Sequence, residues 1–384
     1  MRVLFTSVSA IGHINPMLPL ALALRDRGHA VHWATGPEAC PRLESIGIPT
    51  TPVGAPFNEY RAAYIRRYPQ VLQLPPAEGP EHTFPHLFGE IVAPALVDGV
   101  LEMARRWRPD LVVHDAAEFS GAIAAAAGGV PSVTHGFGHL TPKSRVRAAG
   151  EFVAPLWHSA GLEPRAFGGA YEHLYLDIYP PSLGSGDMDH VPHRQSLRPV
   201  SFDDLGAPGP EAQFVRDPDG RPSIYLTFGT IARDPAPLRT ALEALASLDV
   251  RVLVTVGPAG DPDALGPQPD HVRVERYVPQ SRAFVACDAV VSHAGSGTFL
   301  GAVGRGIPQL CLPQAADQFL NADACRRSGV GLVLEPAEAD APRIADAVSR
   351  LLADDSFRAR ASAVAAEIES MPAPDEVAAE LERL

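Results

Sequence analysis

The tightest constraint in the sequence lies in residues 289–318. Ala289–Val291 is a short apolar run of strand type, and His293-Ala294-Gly295-Ser296-Gly297-Thr298 follows it at once. Helical spacing then runs to about Arg305, with Gly306 as a stop, and Gln309–Leu312 reads as a second strand. Strand, helix, strand in that order belongs to a parallel sheet with helical crossovers. Gly295 and Gly297 let the backbone approach a bulky ligand and turn its N–H groups outward, and a helix N-terminus adds positive partial charge. That combination suits a diphosphate. The turn lacks both the Gly-Lys-Ser/Thr of a P-loop and the third glycine of GxGxxG. The second strand delivers Asp317 and Gln318 to the C-terminal edge of the sheet, where open α/β sheets bind ligands. A carboxylate beside an amide there can grip sugar hydroxyls. The bland alternative is an ordinary βα crossover with a small-residue turn.

The N-terminal half uses the same alternation. Val3–Val8 is a buried-strand run, Asn15 can cap a helix with Pro16 at its first position, and Gly28 ends that helix. A strand at Ala30–Ala34, a helix near Glu38–Ile46 and a strand near Pro49–Val53 complete a β-α-β-α-β start, which implies a doubly wound sheet. His13 falls on the first βα turn, at the sheet's C-terminal edge. A strand at Asp110–His114 leads to Asp115 on the same edge, where it could also cap a helix beginning near Ala116. His135, at the tip of a strand over Pro131–Thr134, is a second histidine that could serve as a base besides His13. Residues 54–87 break the alternation and mix prolines with Phe57, Tyr60, Tyr64, Tyr68 and Phe84. They read equally as a surface loop or as the lid of an apolar acceptor pocket. A helix is expected over Glu90–Trp107, and residues 136–170, with Phe137, Phe152 and Trp157, again suit acceptor contact. Leu174–Ile178 and Arg198–Ser201 read as strands. Residues 203–222 are rich in Pro, Gly and Asp, and a fresh strand at Ser223–Thr227 restarts the βα pattern.

Taken together, Pro279-Gln280, His293, the glycine turn, Gly306, Pro308, Pro313, Asp317-Gln318 and Asn321 resemble the donor-binding signature of family 1 glycosyltransferases, in the variant of bacterial enzymes that glycosylate natural products. The resemblance implies the GT-B fold: two Rossmann-like doubly wound α/β domains facing across a cleft, with a C-terminal helix crossing back onto the first. The expected divisions are an acceptor domain at 1–205, a linker at 206–222, a donor domain at 223–370 and the crossover helix at 371–384. It implies His13 as general base, Asp115 as its orienting partner, and a donor site of Thr230, Tyr277, Val278, Gln280, His293, Gly295, Ser296, Gly297, Thr298, Asp317 and Gln318. The implied reaction moves a sugar from a nucleoside diphosphate to a hydroxyl of a hydrophobic aglycone, polyketide or aromatic, with inversion and with neither metal nor other cofactor. Plant relatives that use UDP-sugars carry a glutamate for both ribose hydroxyls where this chain has Gly301, so dTDP is favoured over UDP. A nucleotide-sugar epimerase on the same fold and a silent nucleotide-sugar-binding partner are the competing readings.

Composition bounds the rest. A chain of 384 residues has room for two cores, and 46% apolar with 20% charged residues is a globular balance. With a net charge of −13 and only sparse arginine clusters, no nucleic-acid footprint is visible. Apolar runs stop short of membrane-spanning length, and the N-terminus enters a strand directly instead of a signal peptide. Cys40, Cys287, Cys311 and Cys325 are scattered without CxxC, which fits thiols in the cytoplasm. A homodimer stays open. Asp-x-Asp triplets at 187–189, 217–219 and 261–263 read as turns and not as metal ligands.

Overall fold

The computed structural model describes residues 1–184, 186–202, 217, 219–229, 235–258 and 260–384. The chain divides into two compact units. The first comprises Met1–Tyr179, Ser185–Val200 and Met371–Leu384, and the second comprises Pro180–Gly184 and Ser201–Ser370.

In the first unit the order is β1 (Arg2–Thr6), α1 (Ile11–Asp26), β2 (Ala30–Thr35), α2 (Cys40–Ser45), β3 (Thr50–Pro52), α3 (Phe57–Arg67) and α4 (Gly79–Thr83). A π-helical segment, Phe84–Val92, then runs into α5 (Ala93–Trp107), followed by β4 (Leu111–Asp115), α6 (Ser120–Gly128), β5 (Ser132–His135), α7 (Lys143–Ser159), β6 (Leu174–Asp177) and β7 (Arg194–Ser196). The sheet order is β3-β2-β1-β4-β5-β6-β7, and every pairing is parallel. Strands buried on both faces need apolar residues throughout, and Val3, Leu4, Phe5, Leu111, Val112 and Val113 meet that need.

Several local expectations are corrected. The first helix starts at Ile11, not Asn15, so Pro16 and Pro19 lie inside it. Asn15 does not cap it, because its Oδ1 accepts a 2.6 Å hydrogen bond from Arg42 Nη1. Residues 57–92 are mostly helical instead of a loop. Their aromatic side chains, Tyr60 and Tyr64 among them, supply the buried face that the proline-rich sequence concealed. The helix expected from Glu90 begins earlier, as the π-helical segment. Gly89 lies so close to α7 that a Cβ there would stand 2.8 Å from the Ala149 carbonyl oxygen, so glycine lets the two segments approach. Arg198–Ser201 is not a strand. The last strand is Arg194–Ser196, and the Arg198 amide instead donates to the Pro372 carbonyl at 2.8 Å.

The second unit runs β8 (Ser223–Thr227), α8 (Ala236–Ala246), β9 (Arg251–Thr255), β10 (Val272–Glu275), α9 (Gln280–Ala283), β11 (Ala289–Ser292), α10 (Ser296–Val303), β12 (Gln309–Cys311), α11 (Gln318–Ser328), β13 (Gly331–Val333), α12 (Ala341–Ala353) and α13 (Asp355–Ser370). Its sheet, β10-β9-β8-β11-β12-β13, is also parallel throughout. The final helix, α14 (Pro374–Leu381), returns to the first unit. It buries Val377, Ala378 and Leu381, and Glu382 just beyond it bonds Arg27 Nε and His29 Nε2, each at 2.8 Å.

All four cysteines are free and buried. Each Asp-x-Asp triplet closes on itself: Asp187, Asp217 and Asp261 accept from the amides of Asp189, Asp219 and Asp263. Among the described residues no helix is long and apolar enough to cross a membrane.

Candidate active site

The first helix places His13 on its first turn, where the His13 amide donates to the Ala10 carbonyl at 2.9 Å. Asp115 ends β4, the neighbour of β1, with no exposed surface. The two meet at 2.9 Å, His13 Nδ1 to Asp115 Oδ2. Asp115 Oδ1 accepts from the Ala117 amide at 3.0 Å, closing a turn. The carboxylate is therefore fixed from both sides, although the helix it was expected to cap begins only at Ser120. With Nδ1–H donated to Asp115, the other ring nitrogen, Nε2, is the one that can take a proton.

Aromatic rings flank His13. Phe137 lies 4.4 Å away between ring centroids and Phe88 5.7 Å away. Phe88 in turn stacks on Phe57 at 6.1 Å and meets Phe84 at 5.2 Å. Phe57, Phe84 and Phe137 are legible from the sequence as acceptor candidates, and the structure adds Phe88. Its four-residue spacing from Phe84 was the available signal. Ile11, two residues before His13, is 41% exposed.

The other first-unit candidates lie elsewhere. Trp157 is fully buried, and its indole joins the core instead of presenting a surface. Tyr60 is buried as well, its hydroxyl accepting from the Ala55 amide at 2.6 Å. Phe152 packs against His86 with centroids 4.9 Å apart. His135 has no exposed surface; its Nδ1–H donates to the Gly136 carbonyl at 2.6 Å, and burial drives its pKa down to about 4. A ring so enclosed has no path to an acceptor's proton.

In the second unit β11 delivers His293, and the turn after it opens α10, with Gly295 at the helix start and Ser296 its first residue. The His293 ring fills the space beside two glycines. A Cβ on Gly295 would stand 2.5 Å from its Nε2, and one on Gly229 would stand 2.8 Å from its Cε1. Gly229 also has a φ of +70°. Gly297 is different: it is exposed, and a Cβ there would meet nothing within 4 Å. Desolvation holds the His293 ring at about 4, against the opposing pull of Asp317 and the Thr227 backbone, so it is neutral near pH 7.

The remaining donor candidates form three groups. Gln280 Nε2 donates to Thr298 Oγ1 at 2.8 Å. Tyr277 is 44% exposed, whereas the adjacent Val278 is buried. Asp317 Oδ2 accepts from Ser296 Oγ at 2.5 Å, and Gln318 Oε1 accepts from the amides of Gln314 and Ala315. Thr230 lies outside the described residues. Gly301 is half-buried, and a Cβ there would stand 2.9 Å from Phe284 Cε2 and 3.1 Å from Ser201 Oγ, so a side chain would require the Phe284 ring to shift.

Two family descriptions cover most of the chain: the N-terminal domain of the erythromycin biosynthesis protein CIII-like family matches residues 22–193, and its C-terminal domain matches residues 239–384. The elloramycin glycosyltransferase ElmGT of Streptomyces olivaceus is 34% identical, over 99% of this chain and 97% of its own.

The chain belongs to the erythromycin-biosynthesis CIII-like glycosyltransferases.

The L-demethylnoviosyl transferase of Streptomyces niveus is 33% identical, over 98% of this chain and 97% of its own. Among solved structures, the spinosyn rhamnosyltransferase SpnG superposes over the whole of both chains with a TM-score of 0.83 and 26% identity. The family is that of bacterial natural-product glycosyltransferases, and the two parallel-sheet units are its GT-B fold. As an enzyme the chain is a glycosyltransferase. Its reaction class is sugar transfer from a nucleotide to a natural-product aglycone.

Proposed function

We propose that this glycosyltransferase inverts the sugar's configuration, using His13 as general base and a TDP-deoxysugar as donor. The observation that carries the reading is the 2.9 Å bond from His13 to the buried Asp115, set among Phe88 and Phe137. An acceptor hydroxyl attacks C1 of the sugar, and its proton passes to His13 Nε2. The C1–O bond to the diphosphate breaks, and the bonding pair leaves with the phosphate oxygen. Asp115 fixes the ring's tautomer and stabilises the imidazolium as it forms. Phe57, Phe84, Phe88 and Phe137 supply an apolar wall suited to a hydrophobic aglycone.

In the second unit the N–H groups of Gly295–Thr298 at the start of α10, together with the neutral N–H of His293, take up the diphosphate's developing charge. With these donors in place and all three Asp-x-Asp triplets closed on their own backbone, the reaction is read as metal-independent. Thr230, which follows Gly229 in the sequence, is read as a further contact to the diphosphate. Tyr277, Val278 and Gln280 meet the base and ribose, and Asp317 with Gln318 holds the sugar. A TDP donor is supported by Gly301, which offers no side chain to a second ribose hydroxyl, and by SpnG, whose structures include a complex with thymidine diphosphate and one with spinosyn aglycone. The proposed working compartment is the cytoplasm.

The test pairs His13→Ala with nucleotide binding. Transfer to a panel of polyketide and aromatic acceptors is expected to fall by about two to four orders of magnitude, while thermal protection by TDP persists. Normal transfer by the variant removes the base assignment. Stronger protection by UDP than by TDP removes the donor assignment.

A further inference from the structure

The hydrogen-bond pattern around Asn321 assigns it a part in sugar recognition. Asn321 has no exposed surface and sits one turn into α11, four residues after Asp317. Its Nδ2 donates to the Ala294 carbonyl at 2.9 Å and to Ser296 Oγ at 3.0 Å, and lies 3.4 Å from Asp317 Oδ2. Ser296 Oγ, having accepted from Asn321, donates its own hydrogen to Asp317 Oδ2 at 2.5 Å. The chain of donors therefore runs one way, from amide to hydroxyl to carboxylate.

The backbone at both ends of this chain is held in an unfavourable conformation. Ala294 has a φ of 64° and Ala316 a φ of 58°, the left-handed region that an alanine's Cβ disfavours. Such residues persist only where their surroundings over-determine them, and the Asn321 amide grips the Ala294 carbonyl directly.

The geometry points to Asn321 and Ser296 as positioning residues that turn the Asp317 carboxylate so that its second oxygen, Oδ1, meets a hydroxyl of the donor's sugar. The inference rests on the reading of Asp317 as the sugar's partner. With Oδ2 turned to Ser296, Oδ1 is the oxygen directed at the ligand, which favours a sugar hydroxyl in one orientation. The same serine begins the helix proposed to face the diphosphate, so turn and sugar site are tied through one hydroxyl.

The experiment measures dissociation constants for TDP alone and for TDP-glucose or TDP-rhamnose, whichever the wild type binds more tightly than TDP. Ser296→Ala keeps the backbone N–H but loses the relay. TDP affinity is expected to stay within about twofold, while the extra affinity contributed by the sugar falls about tenfold or more, as for a lost hydrogen bond to a charged group. Ser296→Thr, which restores a hydroxyl, is expected to recover it. Asn321→Ala is expected to follow Ser296→Ala in sugar affinity. A merely structural Asn321 would instead weaken TDP and TDP-sugar alike in proportion to its loss of thermal stability. Asp317→Asn separates the two claims. If it lowers the sugar's contribution while Ser296→Ala does not, the relay is overturned and the sugar reading stands. If neither variant changes it, or neither sugar tightens binding in the wild type, both fall.

Discussion

His13 and Asp115 stand 102 residues apart in the chain and 2.9 Å apart in the fold, because β1 and β4 are neighbours and each ends on the same sheet edge. An imidazole held this way has one nitrogen committed and one able to work. Asp115→Asn is nearly isosteric but can offer its amide to Nδ1, favouring the wrong tautomer. Turnover is expected to fall by about two to four orders of magnitude with TDP affinity unchanged, read by steady-state kinetics and calorimetry.

Phe88 tests the acceptor wall. Phe88→Ala removes the ring that links His13 to Phe57 and Phe84. KM for a hydrophobic acceptor is expected to rise by about tenfold or more, with TDP protection intact. An unchanged KM would remove Phe88 from the acceptor site.

The packing of His293 between glycines gives a steric prediction. Gly295→Ala puts a methyl 2.5 Å from His293 Nε2, and the ring must shift. Overpacking of this kind costs about 1–3 kcal/mol. Its expected signature is weaker TDP binding, whereas Gly297→Ala, which meets no atom within 4 Å in the protein, lowers affinity only if a ligand lies against it.

Acid should destabilise the first unit through His135. Folding lowers this group's pKa from 6.5 to about 4, so the unfolded chain binds the proton more readily. The stability it contributes is whole above pH 6.5 and is lost as pH falls from 6.5 towards 4, by up to about 3 kcal/mol. His114, also buried and lowered by desolvation, acts in the same direction. His135→Asn can keep a hydrogen bond to the Gly136 carbonyl without a titrating group. Urea unfolding between pH 7 and pH 4 is expected to show a shallower pH dependence for this variant.

The returning helix is held by apolar burial more than by charge. Leu381→Ala is expected to cost about 2–4 kcal/mol in urea unfolding, since Leu381 is 1% exposed. Glu382→Gln removes bonds to Arg27 and His29 but at an exposed site, where solvent screens them, and is expected to move the unfolding midpoint far less. A midpoint moved more by Glu382→Gln than by Leu381→Ala would reverse that ranking.

Much of this protein is written in short-range pattern. Apolar runs followed by small-residue turns mark β1, β8, β11 and β12, because a strand covered on both faces must be apolar at every position. That alternation sufficed for two parallel sheets, and it put His13, Asp115, His293 and Asp317 on their C-terminal edges. What pattern could not reach was decided by distant packing. Whether an aromatic serves the core or the site depends on which neighbours cover it: Trp157 and Phe137 look alike in sequence, yet one is sealed and the other lies against His13. The start of α1, the π-helical turn that aims Phe88, and the bonds joining Asn321, Ser296 and Asp317 arise only once separate elements are brought together. A side chain's partner is fixed by three-dimensional distance, and local propensity carries no record of it.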